Sequence, residues 1–300
     1  MQIGLIGLGK MGFNLALNIH KHGHDLIAFD INKTALNSIQ SHGIKTTDTM
    51  EALVSSMSTR RVIWLMIPAG DLIDRTINIL KSKLTAGDIL IDGGNSNYKD
   101  TIRRARDLEK LQIDFIDCGT SGGVEGALHG ICSMIGGKKE VFTHCEKLFQ
   151  DISLTDGCLY CGPSGSGHFV KMIHNGIEYG MMQAIAEGFE VLHKSEFNLN
   201  LEAVAKVWNH GSVVRSWLME LTENALSKDP NLASIKGIMH SSGEGKWTLE
   251  TAMERQIATP VIALSLLMRY RSLEDDSFSG KVVAALRNEF GGHAVEKSKG

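Results

Sequence analysis

The sequence lacks the features of several specialised protein classes. No basic segment precedes the strand-like opening, Met1 to Ile6, as it would in a signal peptide. The longest uncharged apolar run, Gln256 to Met268, contains Pro260 and is too short to span a bilayer. The formal net charge is −3 and long basic runs are missing, which argues against nucleic-acid binding. We therefore expect a cytoplasmic protein with neither a membrane nor a nucleic-acid partner.

Cysteine is scarce and does not form a framework. The chain has 5 cysteines, an odd number that fits a reducing compartment better than a set of disulfides. Cys158 and Cys161 form a CxxC pair, which could bind a metal or cycle between thiol and disulfide. No second CxxC and no paired-histidine motif accompanies this pair, so we predict no metal site.

A glycine motif stands where a nucleotide-binding turn is expected. Gly7-Leu8-Gly9-Lys10-Met11-Gly12 follows the apolar run of residues 2–6 and precedes a helical pattern from Phe13 to His22. In this GxGxxG context the glycines permit a tight turn close to a pyrophosphate, and the helix amino terminus offers free N–H groups. An unrelated glycine turn is the alternative, but the second strand, Asp25 to Phe29, favours dinucleotide binding.

The residue after that second strand bears on the choice of cofactor. Asp30 lies where the adenosine ribose hydroxyls would bind, and its carboxylate would repel a 2′-phosphate. Asn32 and Lys33 follow directly and could hold a phosphate if Asp30 turned away. We expect NAD as the cofactor, with NADP as a weaker alternative.

Strands and helices continue to alternate as far as about residue 151, which predicts a parallel, doubly wound α/β sheet covered on both faces. Ligands of such sheets bind beyond the carboxyl ends of the strands. Asn95, after the strand Ile89 to Ile91, could hydrogen-bond a substrate hydroxyl or the nicotinamide, or simply form an Asx turn. The loop Gly119 to Val124 is either a backbone cradle for a carboxylate or a flexible surface turn.

The pattern changes at about residue 163, after which nearly every segment has helical periodicity. We predict a Rossmann-like domain at 1–163 and an all-α domain for substrate binding and oligomerisation, with a tail, at 164–300. The helices are expected at Ser166–Lys194, Leu201–Asn209, Val214–Leu226, Trp247–Met268 with a kink or break at Pro260, and Gly280–Phe290.

Residues Gly167 to Gly180 place four polar side chains on one helix face. Lys171, His174, Asn175 and Glu178 fall within a sector of about 100°. The flanking residues are apolar or small, so the polar cluster is either a buried hydrogen-bonded network or an active site.

Six blocks in order resemble the 6-phosphogluconate dehydrogenase family. They are GLGKMGFNLALN at 7–18, IDGGNSNYKDT at 91–101, GTSGGVEGA at 119–127, GHFVKMIHNGIEYG at 167–180, GEGKWT at 243–248 and RNEFGGH at 287–293. The chain is similar to the short, NAD-preferring bacterial type, which lacks the duplicated helical segment of longer NADP-using enzymes. The resemblance implies oxidative decarboxylation of 6-phosphogluconate to ribulose 5-phosphate and CO2.

The resemblance also implies roles for individual residues. Lys171 would be the base that takes the proton from the substrate 3-hydroxyl, and Glu178 the acid that protonates the enediol carbon. Seven residues separate them by about 10 Å along the helix, a distance that an extended sugar acid can bridge. A lysine base must be neutral, which desolvation and nearby positive charge could bring about.

Binding residues carry over in the same way. The cofactor set implied is Gly7, Gly9, Lys10, Met11, Gly12, Asp30, Asn32, Lys33, Ile67, Pro68, Ala69 and Asn95. The substrate carboxylate and hydroxyls would meet Asn95, Ser121, Gly122, Gly123, His174 and Asn175. The phosphate would meet Tyr179, Lys246, Thr248 and Arg271, with Arg269 as the alternative to Arg271.

Two further implications concern the tail and the cofactor. Arg287 and His293 would complete the site of a neighbouring subunit in a homodimer or homotetramer. Pro68 stands where the longer NADP enzymes carry a lysine, so that contact to the cofactor is missing.

Two other functions fit part of the sequence. A 3-hydroxyisobutyrate-type β-hydroxyacid dehydrogenase would share the fold, the glycine block and the lysine helix but would need no phosphate site. A non-catalytic dinucleotide sensor would have no use for a matched base and acid. The GKWT and RNEFGGH blocks favour the phosphorylated substrate.

Overall fold

A computed structural model describes residues 1–297, which fall into two units, Met1–Asn175 and the residues from Gly176 onward. The first unit alternates strands and helices, and the second is helical. Helix α8, Ser166–His193, begins in the first unit and ends in the second.

The first unit is built on an eight-stranded sheet of order β3-β2-β1-β4-β5-β6-β7-β8. The strands are β1 Gln2–Ile6, β2 Asp25–Phe29, β3 Lys45–Thr46, β4 Val62–Leu65, β5 Ile89–Asp92, β6 Asp114–Ser121, β7 Ile131–Gly136 and β8 Ser153–Gly162. The helices before α8 are α1 Lys10–Lys21, α2 Lys33–Gln40, α3 Met50–Ser55, α4 Asp71–Leu80, α5 Tyr98–Glu109, α6 Gly123–His129 and α7 Lys139–Ile152. The predicted doubly wound α/β architecture is confirmed.

One strand pair departs from the expected parallel arrangement. Strands β6 and β7 are antiparallel, with Thr120 opposite Ser133. Their connection, residues 122–130, is shorter than the crossover of about a dozen residues that parallel neighbours need. The sheet is therefore mixed, and the expectation of a purely parallel sheet is wrong at this pair.

Buried apolar clusters lie on both faces of the sheet. Along β4, Trp64 belongs to one cluster, whereas Ile63 and Leu65 belong to the other. All three side chains are fully buried. Because strands covered on both faces bury every side chain, their sequences are nearly continuous apolar runs.

Several elements differ from the sequence prediction. The segment Gly119 to Val124, predicted as a loop, contains the end of β6 and the start of α6. Helices α3, α5 and α6 and the short strand β3 were not predicted. The CxxC pair lies inside β8, a ten-residue strand at the edge of the sheet.

The second unit contains the end of α8 and five further helices: α9 Leu201–Asn209, α10 Trp217–Lys228, α11 Gly243–Glu254, α12 Pro260–Arg271 and α13 Phe278–Gly291. The predicted helix Trp247–Met268 is broken rather than kinked, because Pro260 occupies the first turn of α12, where its missing N–H costs no hydrogen bond. Within residues 1–297, no helix combines the length and apolar character needed to cross a bilayer.

Candidate active site

The glycine loop between β1 and α1 has the geometry of a nucleotide-binding turn. Gly7 has a φ of 104°, and a Cβ at this position would collide with the carbonyl of Met66. A Cβ at Gly12 would overlap the carbonyl of Gly7, so this glycine lets α1 pack against the loop. A Cβ at Gly9 would meet nothing within 4 Å. The turn is therefore closed on its protein side and open at Gly9, where a pyrophosphate could approach the amino terminus of α1.

Asp30 is tied to this loop by hydrogen bonds. Its carboxylate accepts from the backbone N–H of Leu8 at 2.5 Å and from that of Asn32 at 2.7 Å. The Asn32 side chain caps α2 by accepting from the N–H of Thr34. Asp30 thus faces the glycine loop, whereas Asn32 serves the helix that Lys33 begins.

Three of the expected cofactor residues follow β4, and two lie in the first turn of α1. Ile67 packs against the apolar cluster beneath the sheet, whereas Pro68 and Ala69 are exposed. Lys10 is exposed and Met11 is half-buried. Both loops therefore present accessible surface at the same edge of the sheet, beyond the carboxyl ends of β1 and β4.

Asn95 forms a two-bond clamp between the loop after β5 and strand β6. Its Oδ1 accepts from the backbone N–H of Thr120 at 2.9 Å, and its Nδ2 donates to the Thr120 carbonyl at 3.1 Å. Asn95 itself is left-handed, with a φ of 53°. The turn-forming side chain here is Asp92, which accepts from the N–H of Gly94. A plain Asx turn therefore does not describe the role of Asn95.

The polar face of α8 forms a connected cluster within the first unit. Asn175 Oδ1 accepts hydrogen bonds from Lys171 Nζ and from His174 Nδ1, the latter at 2.9 Å. His174 Nε2 lies 3.3 Å from the Ser121 hydroxyl at the end of β6. Lys171 is only 4 % exposed. Four of the expected active-site side chains, which lie as far apart as residues 121 and 175, thus meet at one place.

Glycines allow α8 to reach that position. A Cβ on Gly119 would lie 2.8 Å from the Gly167 carbonyl and would collide with the Lys171 side chain. A Cβ on Gly167 would lie 2.7 Å from the Gly136 nitrogen. Because Gly119, Gly136 and Gly167 have no Cβ, the first turns of α8 pack directly on the backbones of β6 and β7.

A buried carboxylate anchors the start of α8. Asp117, fully buried on β6, accepts from the N–H of Gly165 at 2.7 Å and from that of His168 at 2.9 Å. Burial raises the pKa of Asp117, while the two backbone donors and His168 oppose this shift. The His168 Nδ1 lies 2.8 Å from the Thr101 hydroxyl. Sequence reasoning did not identify these residues, since neither Asp117 nor His168 has a periodic partner in the sequence.

The second unit brings together a separate set of polar residues. The guanidinium of Arg269 lies 3.6 Å from the centre of the Tyr179 ring. The Tyr179 hydroxyl accepts from the N–H of Ser242 at 3.1 Å, and Ser242 is the N-cap of α11. Thr248 is buried on α11, and its side chain would block a Cβ at Gly176. Tyr179, Arg269 and the amino-terminal half of α11 are therefore neighbours.

The remaining expected phosphate and tail residues are more exposed. Lys246 pairs loosely with Glu250 at 3.6 Å on the surface of α11. The Arg271 side chain donates to the Glu274 carbonyl in the turn after α12. Arg287 and His293 are both exposed, on α13 and just beyond it. Of the two arginines considered for the phosphate, Arg269 is the one beside Tyr179.

Glu178 lies on α8 seven residues beyond Lys171 and is half-buried. The CxxC thiols differ from a reactive pair, because burial raises the pKa of both Cys158 and Cys161. In the described part of the chain, no group of three or more His, Cys, Asp or Glu side chains is placed to hold a metal ion.

A doubly wound sheet with a glycine-rich turn, followed by a helical unit and a polar cluster around the buried Lys171, is the arrangement of a nicotinamide-dependent dehydrogenase. Comparison with known families narrows this class. Residues 2–162 match the NAD binding domain of 6-phosphogluconate dehydrogenase, and residues 167–285 match the C-terminal domain of the same enzyme. The chain belongs to the 6-phosphogluconate dehydrogenase family.

Individual relatives agree with this assignment. YqeC of Bacillus subtilis, provisionally named a 6-phosphogluconate dehydrogenase, is 55% identical over 297 residues, covering 99% of this chain and 100% of that protein. An NAD(+)-dependent, decarboxylating 6-phosphogluconate dehydrogenase of Haloferax volcanii is 40% identical over 299 residues and 99% of both chains. The solved structure of the Plasmodium falciparum enzyme, studied with NADP+ and with 6-phosphogluconate, has a TM-score of 0.85 at 30% identity, covering 100% of this chain and 67% of that one.

Proposed function

We propose that the protein oxidises and decarboxylates 6-phosphogluconate to ribulose 5-phosphate and CO2, with NAD as the preferred hydride acceptor. The observation that carries this proposal is the cluster of Lys171, Asn175, His174 and Ser121, which lies in a member of the 6-phosphogluconate dehydrogenase family. A buried amine beside an imidazole, an amide and a hydroxyl can both exchange a proton with a sugar hydroxyl and orient the groups around it.

The nucleotide site fits a dinucleotide. The open surface at Gly9 and the uncapped amino terminus of α1 suit a pyrophosphate, and the nicotinamide supplies the hydride acceptor when it is bound. Ile67, Pro68 and Ala69 after β4, and Asn95 after β5, would line the remainder of the site. These features support the proposal that this loop and its neighbours hold the cofactor.

Two side chains of α8 divide the proton transfers. Lys171 accepts the proton of the 3-hydroxyl as that carbon is oxidised, and the resulting ammonium then polarises the new carbonyl. Loss of CO2 from the β-keto acid leaves an enediol, and Glu178 donates a proton to its carbon. Proton donation to the carbonyl oxygen by Lys171 provides the electron sink for decarboxylation, so these steps require no metal ion.

The substrate extends from the carboxylate end to the phosphate end. Ser121, Gly122, Gly123, Asn95, His174 and Asn175 bind the carboxylate and hydroxyls. At the phosphate, Tyr179, Lys246 and Thr248 act together with Arg269 rather than Arg271. The contact between Arg269 and Tyr179 supports this choice, and a guanidinium matches the geometry of a phosphate.

The preference for NAD rests on Asp30. Its carboxylate is hydrogen-bonded to the glycine loop, so a 2′-phosphate would have to approach a fixed negative charge. The relatives include both an NAD(+)-dependent enzyme and one studied with NADP+. Asn32 and Lys33 leave NADP as a weaker second cofactor.

A second copy of the chain completes the site. Helix α13 has no buried residue among those described, and Phe278, Val282, Leu286 and Phe290 follow one another at intervals of four along one face. An apolar helix face of this kind suits a protein partner. Arg287 and His293 follow on the same segment and would enter the neighbouring site. We also propose that the boundary between the two domains lies at residue 163 and that the protein is cytoplasmic.

A spectrophotometric assay of NADH formation tests the function. Purified protein is expected to reduce NAD with 6-phosphogluconate and, at equal concentrations, to reduce NADP more slowly. Reduction of NAD with 3-hydroxyisobutyrate but not with 6-phosphogluconate would establish the rival hydroxyacid dehydrogenase. Dinucleotide binding without turnover of either substrate would support the sensor.

Subunit mixing tests the shared site. Arg287→Ala and Lys171→Met proteins, each inactive alone, are expected to recover part of the activity when their subunits exchange, because a mixed oligomer contains one site with both residues intact. Fluorescently labelled subunits would report the exchange independently. Exchange without recovery would mean that each chain builds its site alone.

A further inference from the structure

A buried polar network lies next to the candidate active site, and the proposed mechanism assigns no role to its residues. Asp92 at the end of β5 is fully buried, and so are its neighbours Ser96 and Arg104, each 2 % exposed. Asp92 accepts from the N–H of Gly94 at 3.0 Å and from the Ser96 hydroxyl at 2.7 Å. A buried carboxylate is costly unless its oxygens are satisfied, and both oxygens of Asp92 are satisfied by these donors.

The two donors to Asp92 stand on either side of Asn95. Asn95 has a φ of 53°, which non-glycine residues seldom adopt. Closing the turn from Gly94 to Ser96 onto one carboxylate holds the residue between them in this conformation. The Asn95 side chain then reaches the N–H and the carbonyl of Thr120 on β6. The hydrogen bonds that Asp92 accepts from Gly94 and Ser96 thus fix the position of the Asn95 amide.

Arg104 links this turn to the loop after β4. Its Nη2 donates to the Gly70 carbonyl at 3.0 Å, and its Nε and Nη2 hold Asp74 at 3.0 and 2.8 Å. The hydrogen bond from Arg104 is the main cause of the lowered pKa of Asp74. The Arg104 Nη1 is buried and has no hydrogen-bond partner in residues 1–297, but it lies 3.6 Å from Asp92 Oδ2. One guanidinium therefore faces two of the loops that are expected to bind the cofactor, those after β4 and β5.

We propose that Asp92 is a positioning residue of the active site, which acts through Asn95 and is itself held by Arg104. The inference rests on the proposed function, because it assigns Asn95 to the bound substrate and nicotinamide. Asp92 does not touch the reacting atoms. Its effect is to keep the Asn95 amide and the end of β6 in the geometry that turnover requires, and misplacement of such a group by 1 Å can cost about 100-fold in rate.

The same strand provides a matched control. Asp88 immediately precedes β5 and is 1 % exposed, and it also pairs with an arginine, accepting from Arg61 Nη1 at 2.8 Å. It lies at the opposite end of the strand from Asn95. Asp88→Asn and Asp92→Asn therefore both remove a buried charge beside an arginine, but only Asp92→Asn removes a constraint on Asn95.

The test combines kinetics with hydrogen exchange on the full-length protein. Relative to Asp88→Asn, the Asp92→Asn variant is expected to lose about 10- to 100-fold in kcat with saturating NAD and 6-phosphogluconate. The amide of Thr120 is expected to exchange at least about tenfold faster in Asp92→Asn and at the wild-type rate in Asp88→Asn. Ser96→Ala removes one donor to the Asp92 carboxylate and is a milder change. It should shift kcat and the Thr120 exchange rate in the same directions, and it replaces Asp92→Asn as the test if that variant folds poorly.

A double-mutant cycle isolates the role of Asn95. In an Asn95→Ala background, adding Asp92→Asn is expected to change kcat by less than about twofold, because the group through which Asp92 acts is already missing. Independent, multiplying losses would overturn the proposal, as would equal losses in Asp88→Asn and Asp92→Asn. Failure of the proposed function would appear as an inactive wild type, and in that case the exchange rate of Thr120 still decides whether Asp92 holds Asn95.

Discussion

The two units differ in how they treat apolar surface. The first unit buries two apolar clusters against the faces of its sheet. Among the described residues of the second unit, the buried apolar side chains are those of Tyr179, Ala205, Met219, Leu226, Ala252 and Leu266. Exposed apolar side chains are common there, including Phe278 at 80 % and Phe290 at 79 %.

An open groove adds to this contrast. It lies between α8, α9 and α10, has a volume of about 580 Å³ and is lined largely by apolar residues such as Phe189, Leu218 and Leu221. An exposed apolar groove of this kind is typical of an interaction site. This contrast supports the proposal that a second copy of the chain covers apolar surface of the second unit.

The largest effect is expected from removing the base in the first unit. Lys171→Met should lower kcat by about 10²- to 10⁴-fold, the usual contribution of general acid–base catalysis. Dinucleotide affinity, measured by fluorescence titration, should stay within a factor of about two because the glycine loop is untouched. Lys110→Met is the control, since Lys110 is an exposed lysine of the same unit that pairs with Asp107 on the surface of α5. An undiminished kcat in Lys171→Met would show that Lys171 is not the general base.

The next effect concerns α13 and tests the comparison directly. Phe278→Glu should weaken self-association by about 100-fold, as expected when a buried aromatic side chain is lost from an interface. An acidic residue suits the amino terminus of a helix, so α13 itself should remain folded. Leu111→Glu changes an exposed leucine of the first unit and should leave the assembly intact. Sedimentation velocity over a range of protein concentrations measures the self-association of both variants. Equal self-association of Phe278→Glu and Leu111→Glu would contradict the proposed difference between the units.

A smaller effect separates the two arginines at the end of α12. Arg269→Met should raise the KM for 6-phosphogluconate by about 10- to 100-fold, the value of losing a hydrogen bond to a charged group worth about 1.5–3 kcal/mol. The KM for NAD should not change. Arg271→Met should resemble the wild type, because the guanidinium beside Tyr179 is that of Arg269, whereas Arg271 is exposed at the end of α12. The reverse result would return the phosphate contact to Arg271.

The smallest effect concerns cofactor choice in the first unit. Asp30→Ser should shift the ratio of kcat/KM for NAD and NADP toward NADP by at least about fivefold, because a fixed negative charge no longer opposes the 2′-phosphate. Asp25→Ser, at the exposed start of the same strand, is a control that alters charge without facing the glycine loop. An unchanged ratio in Asp30→Ser would show that another residue sets the preference.

The sequence predicted the elements whose patterns are local. Strands β1 and β2 and helix α9 have the predicted bounds, because unbroken apolar or amphipathic runs end at clear signals such as Asn200, the N-cap of α9. Helix α5 was missed because its buried face includes Thr101 and Arg104, which interrupt the apolar periodicity. Strand β8 was not predicted over its length, because its ten residues at the sheet edge are all half-buried or exposed and form no continuous apolar run.

The candidate site was predictable only in part, because some of its contacts are local in the sequence and others join distant segments. Lys171, His174 and Asn175 share a helix face, so their spacing revealed them. The clamp between Asn95 and Thr120 joins residues 25 positions apart, and no periodicity connects them. Buried partners such as Asp92 and Asp117 become meaningful only when the strands are placed side by side.

The proposed activity is tested most directly by product stoichiometry. With 6-phosphogluconate and NAD, we expect NADH, CO2 and ribulose 5-phosphate to form in equal molar amounts, because the proposed mechanism couples oxidation at Lys171 to decarboxylation and to protonation by Glu178 within one turnover. NADH would be followed by absorbance and the pentose phosphate by chromatography. CO2 would be trapped and counted from 6-phosphogluconate that carries a carbon label at C1, the carboxylate carbon. NADH formation without CO2 would contradict the account.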